Sequence, residues 1–336
     1  MSTDFKRLGS QGPAVFPIAL GCAAMSGTYG QSRDDAESIA TIHEAIERGV
    51  NVLDTADFYG SGHNELLIGK ALQGRRDKVL LSVKFGGLRS PDGGWVGLDA
   101  RPVAVKNFLA YTLNRLGVDH VDVYRPARLD RQVPIEDTIG AISDLVRAGY
   151  VRQIGLSEVG PETIRRAHTV HPICDLQIEY SLMSRNAEKE IFPLLKELGI
   201  AVTAYGVLSH GLLGGTVSQA GKGDLRANLP RFKGENLERN QKLVEALDKI
   251  AQEKRVTNSQ LAIAWVLAQG SSIIPIIGSR NRTQLQEALG ALEIRLSAAD
   301  LARIERAVPA EAVAGTRYHE EQMKMLDSER KGSSVS

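Results

Sequence analysis

Asp54, Tyr59 and Lys84 are three residues that together could move a proton. A free phenol has a pKa of about 10, too high to ionise readily at neutral pH. An ammonium beside it stabilises the phenolate and lowers that value. A carboxylate such as Asp54 would keep the ammonium charged and oriented. The product is a tyrosine able to give a proton to a carbonyl oxygen or take one from an alcohol. Taken alone, the Asp54–Lys84 pair reads first as a structural salt bridge, since buried charges must be paired. Lys84 also has the side chain of a Schiff-base nucleophile, although a lysine paired with a carboxylate stays protonated. A second chemistry is suggested by Ser279-Arg280 with Arg282. A guanidinium opening a helix makes an anion site.

These residues stand at or just beyond the ends of short apolar runs. Such runs lie at 18–22, 50–54, 79–84, 121–124, 151–156, 173–178, 201–205 and 273–277. Each is apolar on both faces, as parallel strands buried on both sides must be. Between them lie amphipathic stretches at 36–48, 103–116, 135–147, 161–168 and 188–198. Thr257-x-x-Gln260 and Ser297-x-x-Asp300 read as capping boxes. Eight strands alternating with helices over about 250 residues predict an α/β chain folded as a (β/α)₈ barrel. A doubly wound sheet would favour Gly-x-Gly-x-x-Gly after its first strand, and that string is absent. We expect one barrel domain: an N-terminal β-hairpin over 1–17, the barrel over 18–307, and a polar tail over 308–336, frayed from Lys331. A long, Gly-rich, basic loop follows strand seven at 206–234. In such barrels chemistry sits at the C-terminal ends of the strands, which is where Asp54, Lys84, Ser157, Gln177, Tyr205 and Ser279 fall.

Composition narrows the class. The 336 residues are 43% apolar, and 41 Lys+Arg balance 40 Asp+Glu, so disorder, nucleic acid and anionic lipid are poor readings. The longest apolar run, 261–268, is far short of the roughly 20 residues of a membrane span. Cys22 and Cys174 cannot form a disulfide framework and read as small core residues. The expectation is a soluble, cytoplasmic protein without a signal peptide. No metal is expected. His168-x-x-His171 lacks the Glu and the spacing of a zincin and reads as a helix end.

The string Asn51-Val-Leu-Asp54-Thr-Ala-Asp-Phe-Tyr59-Gly-Ser-Gly-His63-Asn-Glu65 closely resembles the aldo-keto reductase signature. So do Val83-Lys84-Phe, Gly155-Leu-Ser157, Leu176-Gln177-Ile-Glu179, Tyr205 to Gly214 and Ile274 to Glu287, in order over residues 5–310. The pattern is most similar to bacterial members near the potassium-channel β-subunit branch. The resemblance implies an NADP(H)-dependent reductase of aldehydes and ketones, with a small-molecule carbonyl or alcohol as its partner. Tyr59 would be the general acid/base, Lys84 its partner and Asp54 the orienter. Ser157 and Gln177 would bind the nicotinamide carboxamide, and Tyr205 would stack on its ring. Gly21, Gly206, Leu208, Gly211, Leu213 and Gly278 would line the rest of the cofactor. Ser279, Arg280 and Gln284 would meet the 2′-phosphate and Glu287 the adenine. His63 would fix the catalytic loop. Tyr29, Phe58 and Trp95, together with Phe85, could wall an apolar substrate pocket or simply pack their loops. The resemblance leaves open a cofactor-sensing subunit with slow turnover.

Three positions depart from the pattern. Ala127, beside Arg128, replaces a histidine that donates to the substrate carbonyl, which suggests tolerance of bulky carbonyls and a substitute donor such as Arg128 or water. Glu158 and Ala288 replace asparagines and are expected to touch only cofactor affinity.

Overall fold

The computed structural model describes residues 4–30, 33–215 and 224–330. The expected frayed end, 331–336, lies outside the described residues. A short antiparallel hairpin, β1 (Lys6–Arg7) and β2 (Ala14–Val15), precedes the barrel. The barrel strands are β3 (Ala19–Gly21), β4 (Val52–Ala56), β5 (Leu80–Phe85), β8 (Val121–Pro126), β9 (Val151–Ser157), β10 (Ile173–Glu179), β11 (Ala201–Tyr205) and β12 (Ile273–Gly278). They pair in chain order, all parallel, and β12 closes on β3. Between β5 and β8, β6 (Gly87–Arg89) and β7 (Trp95–Leu98) form a small antiparallel hairpin above the barrel. The expected (β/α)₈ barrel with hairpin, long seventh loop and tail is the architecture found.

Five helices follow the five amphipathic stretches: α1 (Asp35–Glu47), α3 (Pro102–Leu116), α4 (Ile135–Arg147), α5 (Pro161–Val170) and α6 (Ile191–Leu198), while α2 (His63–Ala71), α7 (Gly234–Lys254), α8 (Asn258–Ala268), α9 (Arg282–Gly290), α10 (Ala298–Ala307) and α11 (Glu320–Lys324) lie outside them. Both capping boxes form, Thr257 with Gln260 at α8 and Ser297 with Asp300 at α10. Between strands and helices lies the main core, with Leu53, Leu81, Ile139, Ile142, Leu176 and Trp265 fully buried. A second apolar cluster plugs the barrel bottom, where Leu8 and Val15 of the hairpin meet Ala19, Val52, Val123, Cys174 and Ile274. The upper barrel is polar instead. Six of the barrel strands end one or two residues later than their apolar runs suggest. β5 extends through Phe85, which stacks on Tyr124 at 4.3 Å and is fully buried, so Phe85 is a core residue and not a loop aromatic.

Candidate active site

Strand register sets the polar layer. Asp54 lies opposite Ser82, and Lys84 opposite Arg125. Lys84 Nζ donates to Asp54 Oδ1 at 2.5 Å. The other carboxylate oxygen of Asp54 accepts from Ser82 Oγ at 3.0 Å and from Gln177 Nε2 at 2.7 Å. Asp54 and Lys84 are each 4% exposed. Tyr59 stands above them at the start of the loop after β4, partly open to solvent, with Lys84 Nζ 5.1 Å from its ring centroid. The loop is held from below: His63 Nδ1 meets Ser26 Oγ at 2.9 Å and its Nε2 meets Asp35 Oδ1 at 3.1 Å.

The sequence led us to expect a phenol lowered by Lys84, and the structure corrects this. Desolvation raises the Tyr59 phenol above its ordinary value, and Asp54 adds to the rise, while Arg128 and Arg125 pull it down. Lys84 is itself lowered below an ordinary lysine because burial outweighs the pull of Asp54. Tyr59 therefore keeps its proton at neutral pH.

Phe58 meets Tyr59 edge to face at 5.1 Å, and Trp95 of β7 continues the wall 5.8 Å from Phe58. Tyr29 packs against the loop after β11, its hydroxyl 3.3 Å from His210 Nδ1. Ala127 is 2% exposed and its N–H is spent on Phe85 O at 2.9 Å. Arg128 reaches across: Nη1 donates to Ala127 O at 2.6 Å and to Ser157 Oγ at 3.4 Å.

At the end of β12 the residues form a second cluster. Ser279 Oγ is buried without a partner, as are Ser209 Oγ and His210 Nε2 in the loop after β11. That loop is built for close approach: Gly206, Ser209, His210 and Gly211 all have left-handed φ, between 48° and 92°. Arg280 donates its N–H to Gln284 Oε1 at 3.0 Å, and its guanidinium has no ion-pair partner among the described residues.

A model of the aldo/keto reductase family matches residues 17–309. A protein named probable aldo-keto reductase 1 from Glycine max is 41% identical over 317 residues, 93% of this chain and 91% of its own length. The chain belongs to the aldo/keto reductase family. A glycerol dehydrogenase, AKR11B4, from Gluconobacter oxydans is similar in fold with a TM-score of 0.82 at 25% identity over all of both chains. The holo form of AKR11C1 from Bacillus halodurans scores 0.77 at 28% identity, over 92% of this chain and 97% of its own. An aldo-keto reductase from Klebsiella pneumoniae in complex with NADPH scores 0.73 at 24% identity, over 92% of this chain and 96% of its own, a likeness of fold.

In this aldo/keto reductase chain several expected site residues are engaged elsewhere. Asn281, not Arg280, caps α9, so Arg280 precedes the helix. Arg282 is tied to Glu37 of α1, with Nη2 to Oε2 at 3.0 Å, and adds no free charge beside Arg280. Glu287 accepts from Thr257 Oγ1 at 2.7 Å. In the loop after β11, Arg226 is spent on Asp224 and Arg231 on Glu179, so their charge is neutralised within the chain. Gly21 and Leu213 are buried, Leu208 and Gly211 half-buried, and Gly278 exposed. No helix of the described residues is long and apolar enough to cross a membrane, and no cluster of three or more His, Cys, Asp or Glu among them could hold a metal.

Sequence reasoning missed Arg125 and Asp175. They form a fully buried, bidentate pair inside the barrel, with Arg125 Nη2 at 2.9 and 2.8 Å from the two carboxylate oxygens. A side chain at position 155 would collide with them, since a Cβ on Gly155 would lie 2.6 Å from Arg125 Nε. The available signal was an arginine in one buried strand and an aspartate in another, because buried charges need partners.

Proposed function

We propose that the protein is an NADP(H)-dependent oxidoreductase that reduces an aldehyde or ketone to the alcohol, and runs the reverse reaction, with Tyr59 as general acid/base. The observation that carries this reading is the 2.5 Å Lys84–Asp54 pair set beneath Tyr59 at the top of the barrel. Ser209, His210 and Ser279 offer unpartnered polar atoms and Arg280 an unpaired cation, a set that fits a dinucleotide phosphate and pyrophosphate. When bound, the nicotinamide supplies the hydride. Ser157 and Gln177 would hold its carboxamide, and Tyr205 would flank its ring. Tyr59 donates its proton to the carbonyl oxygen as charge develops there, and the Lys84 ammonium beneath its ring stabilises the phenolate that is left. Lys84 as a Schiff-base nucleophile fits poorly, because its ammonium is held by Asp54.

A panel of aldehydes and ketones, followed at the nicotinamide absorbance band, tests the proposal. No oxidation of NADPH with any carbonyl would overturn it. NADPH should be preferred over NADH. Arg280→Ala should weaken NADPH by about tenfold, the size of one charge-assisted contact, and leave NADH nearly unchanged. Equal loss for both would show that Arg280 does not meet the 2′-phosphate.

Ala127 puts a methyl group where the family pattern has a donor. Losing one such donor costs about 10²–10³ in rate unless another group replaces it. We expect modest turnover on small aldehydes and tolerance of bulky ketones. Ala127→His should raise the first and lower the second, as initial rates would show. A drop in thermal stability with no change in preference would make Ala127 a packing residue.

A further inference from the structure

The tail after α10 returns across the C-terminal face of the barrel. It is sewn down at several places. Ala314 exchanges two hydrogen bonds with the Asn240 side chain, both 2.9 Å. Asp327 Oδ2 accepts from Gly160 N at 2.9 Å and Thr163 Oγ1 at 2.7 Å at the start of α5. Between these anchors, Arg317 grips Glu158, the residue just beyond β9, through two bonds of 3.0 and 2.8 Å.

Glu158 is fully buried and holds a left-handed φ of 53°, a strained position for a side chain of this size. Its carboxylate also accepts from Ser328 Oγ at 2.5 Å, Glu179 N at 2.9 Å and Tyr205 Oη at 2.8 Å. Burial alone would raise its pKa, but Arg317 holds it down at about 2. Tyr205 spends its only proton on Glu158, so Tyr318 of the tail must donate to Tyr205 Oη, 3.2 Å away. The far end of the Tyr205 ring is thus fixed from two sides, and both fixings lead to the tail.

We propose that Arg317 and Tyr318 are positioning residues, which act through Glu158 and the Tyr205 hydroxyl to set the tilt of the ring that faces the nicotinamide. The tail is then part of the cofactor site. This rests on the function proposed above. A hydrogen-bonded ring is pre-organised, so the cofactor need not order it on binding.

The test is a coupling measurement on the full chain. NADPH affinity is read from nicotinamide fluorescence, and stability from thermal unfolding. Arg317→Lys keeps the charge but loses the fork, and Tyr318→Phe deletes one hydroxyl; these should fold even where Arg317→Ala, which leaves Glu158 unpaired, does not. Each should weaken NADPH, by about tenfold for Arg317→Lys and severalfold for Tyr318→Phe. In a Tyr205→Phe background, where the link to the ring is cut, neither should weaken it further. The same loss in both backgrounds, or unaltered NADPH affinity in either variant with Tyr205 intact, overturns the inference. A wild-type chain that binds no NADPH overturns the proposed function as well, so the two failures are distinct.

Discussion

Tyr59→Phe should cut carbonyl reduction by about 10²–10⁴, the usual contribution of a positioned general acid. The substitution is well suited to isolate the proton. Phe58 packs against the ring edge at 5.1 Å, and a phenylalanine keeps that contact. The Tyr59 hydroxyl makes no hydrogen bond to any described residue, so its removal orphans no buried group. NADPH affinity and the thermal midpoint should therefore stay near wild type while turnover collapses. The pH profile adds a check on the same atom. Desolvation and Asp54 raise the phenol above its ordinary value, so the protonated donor persists through neutral and mildly alkaline pH. Reduction should not fall there on account of Tyr59. Retention of more than a tenth of the wild-type rate would remove Tyr59 from the proton-transfer step.

What was legible in the sequence divides along a physical line. Strands and helices are patterns of neighbours in the chain, and the apolar runs place all eight barrel strands. The ends of these strands are less legible, because burial of Phe85 depends on Tyr124 of the next strand. The proximity of Asp54, Tyr59 and Lys84 follows once adjacent strands are known to be parallel. The sign of the Tyr59 shift does not, because the desolvation that dominates it is a property of everything around the phenol. Glu158 was read as an altered contact to the cofactor. Its partner Arg317 lies 159 positions away in a polar tail with no pattern of its own. The Arg125–Asp175 pair was missed for the same reason, since each residue makes sense only beside the other.

Asp54→Asn and Lys84→Met should both abolish turnover, yet they should differ in stability, and the difference measures how the pair is built. Breaking a buried pair by removing one partner costs about 3–5 kcal/mol, because the other charge is left uncompensated. After Lys84→Met the carboxylate of Asp54 still has Ser82 Oγ at 3.0 Å, Gln177 Nε2 at 2.7 Å and Arg125 Nη1 at 3.7 Å. After Asp54→Asn the ammonium has no carboxylate within 4 Å among the described residues, and Arg125 faces it across the ladder. Asp54→Asn should therefore fall in that range and Lys84→Met below it. The double variant buries no charge at this point, so it should lose less than the sum of the singles. The pH dependence has a definite sign. Burial puts the folded lysine below its ordinary value of 10.5. Between those two values the unfolded chain binds more protons, so the stability of Asp54→Asn should rise with pH there. Lys84→Met should show no such rise. Denaturant unfolding of the three variants from neutral to alkaline pH reads all of this. Equal losses for the two singles would mean that the second oxygen of Asp54 gains nothing from Ser82, Gln177 and Arg125. Strict additivity would mean that the 2.5 Å pair is not energetically coupled.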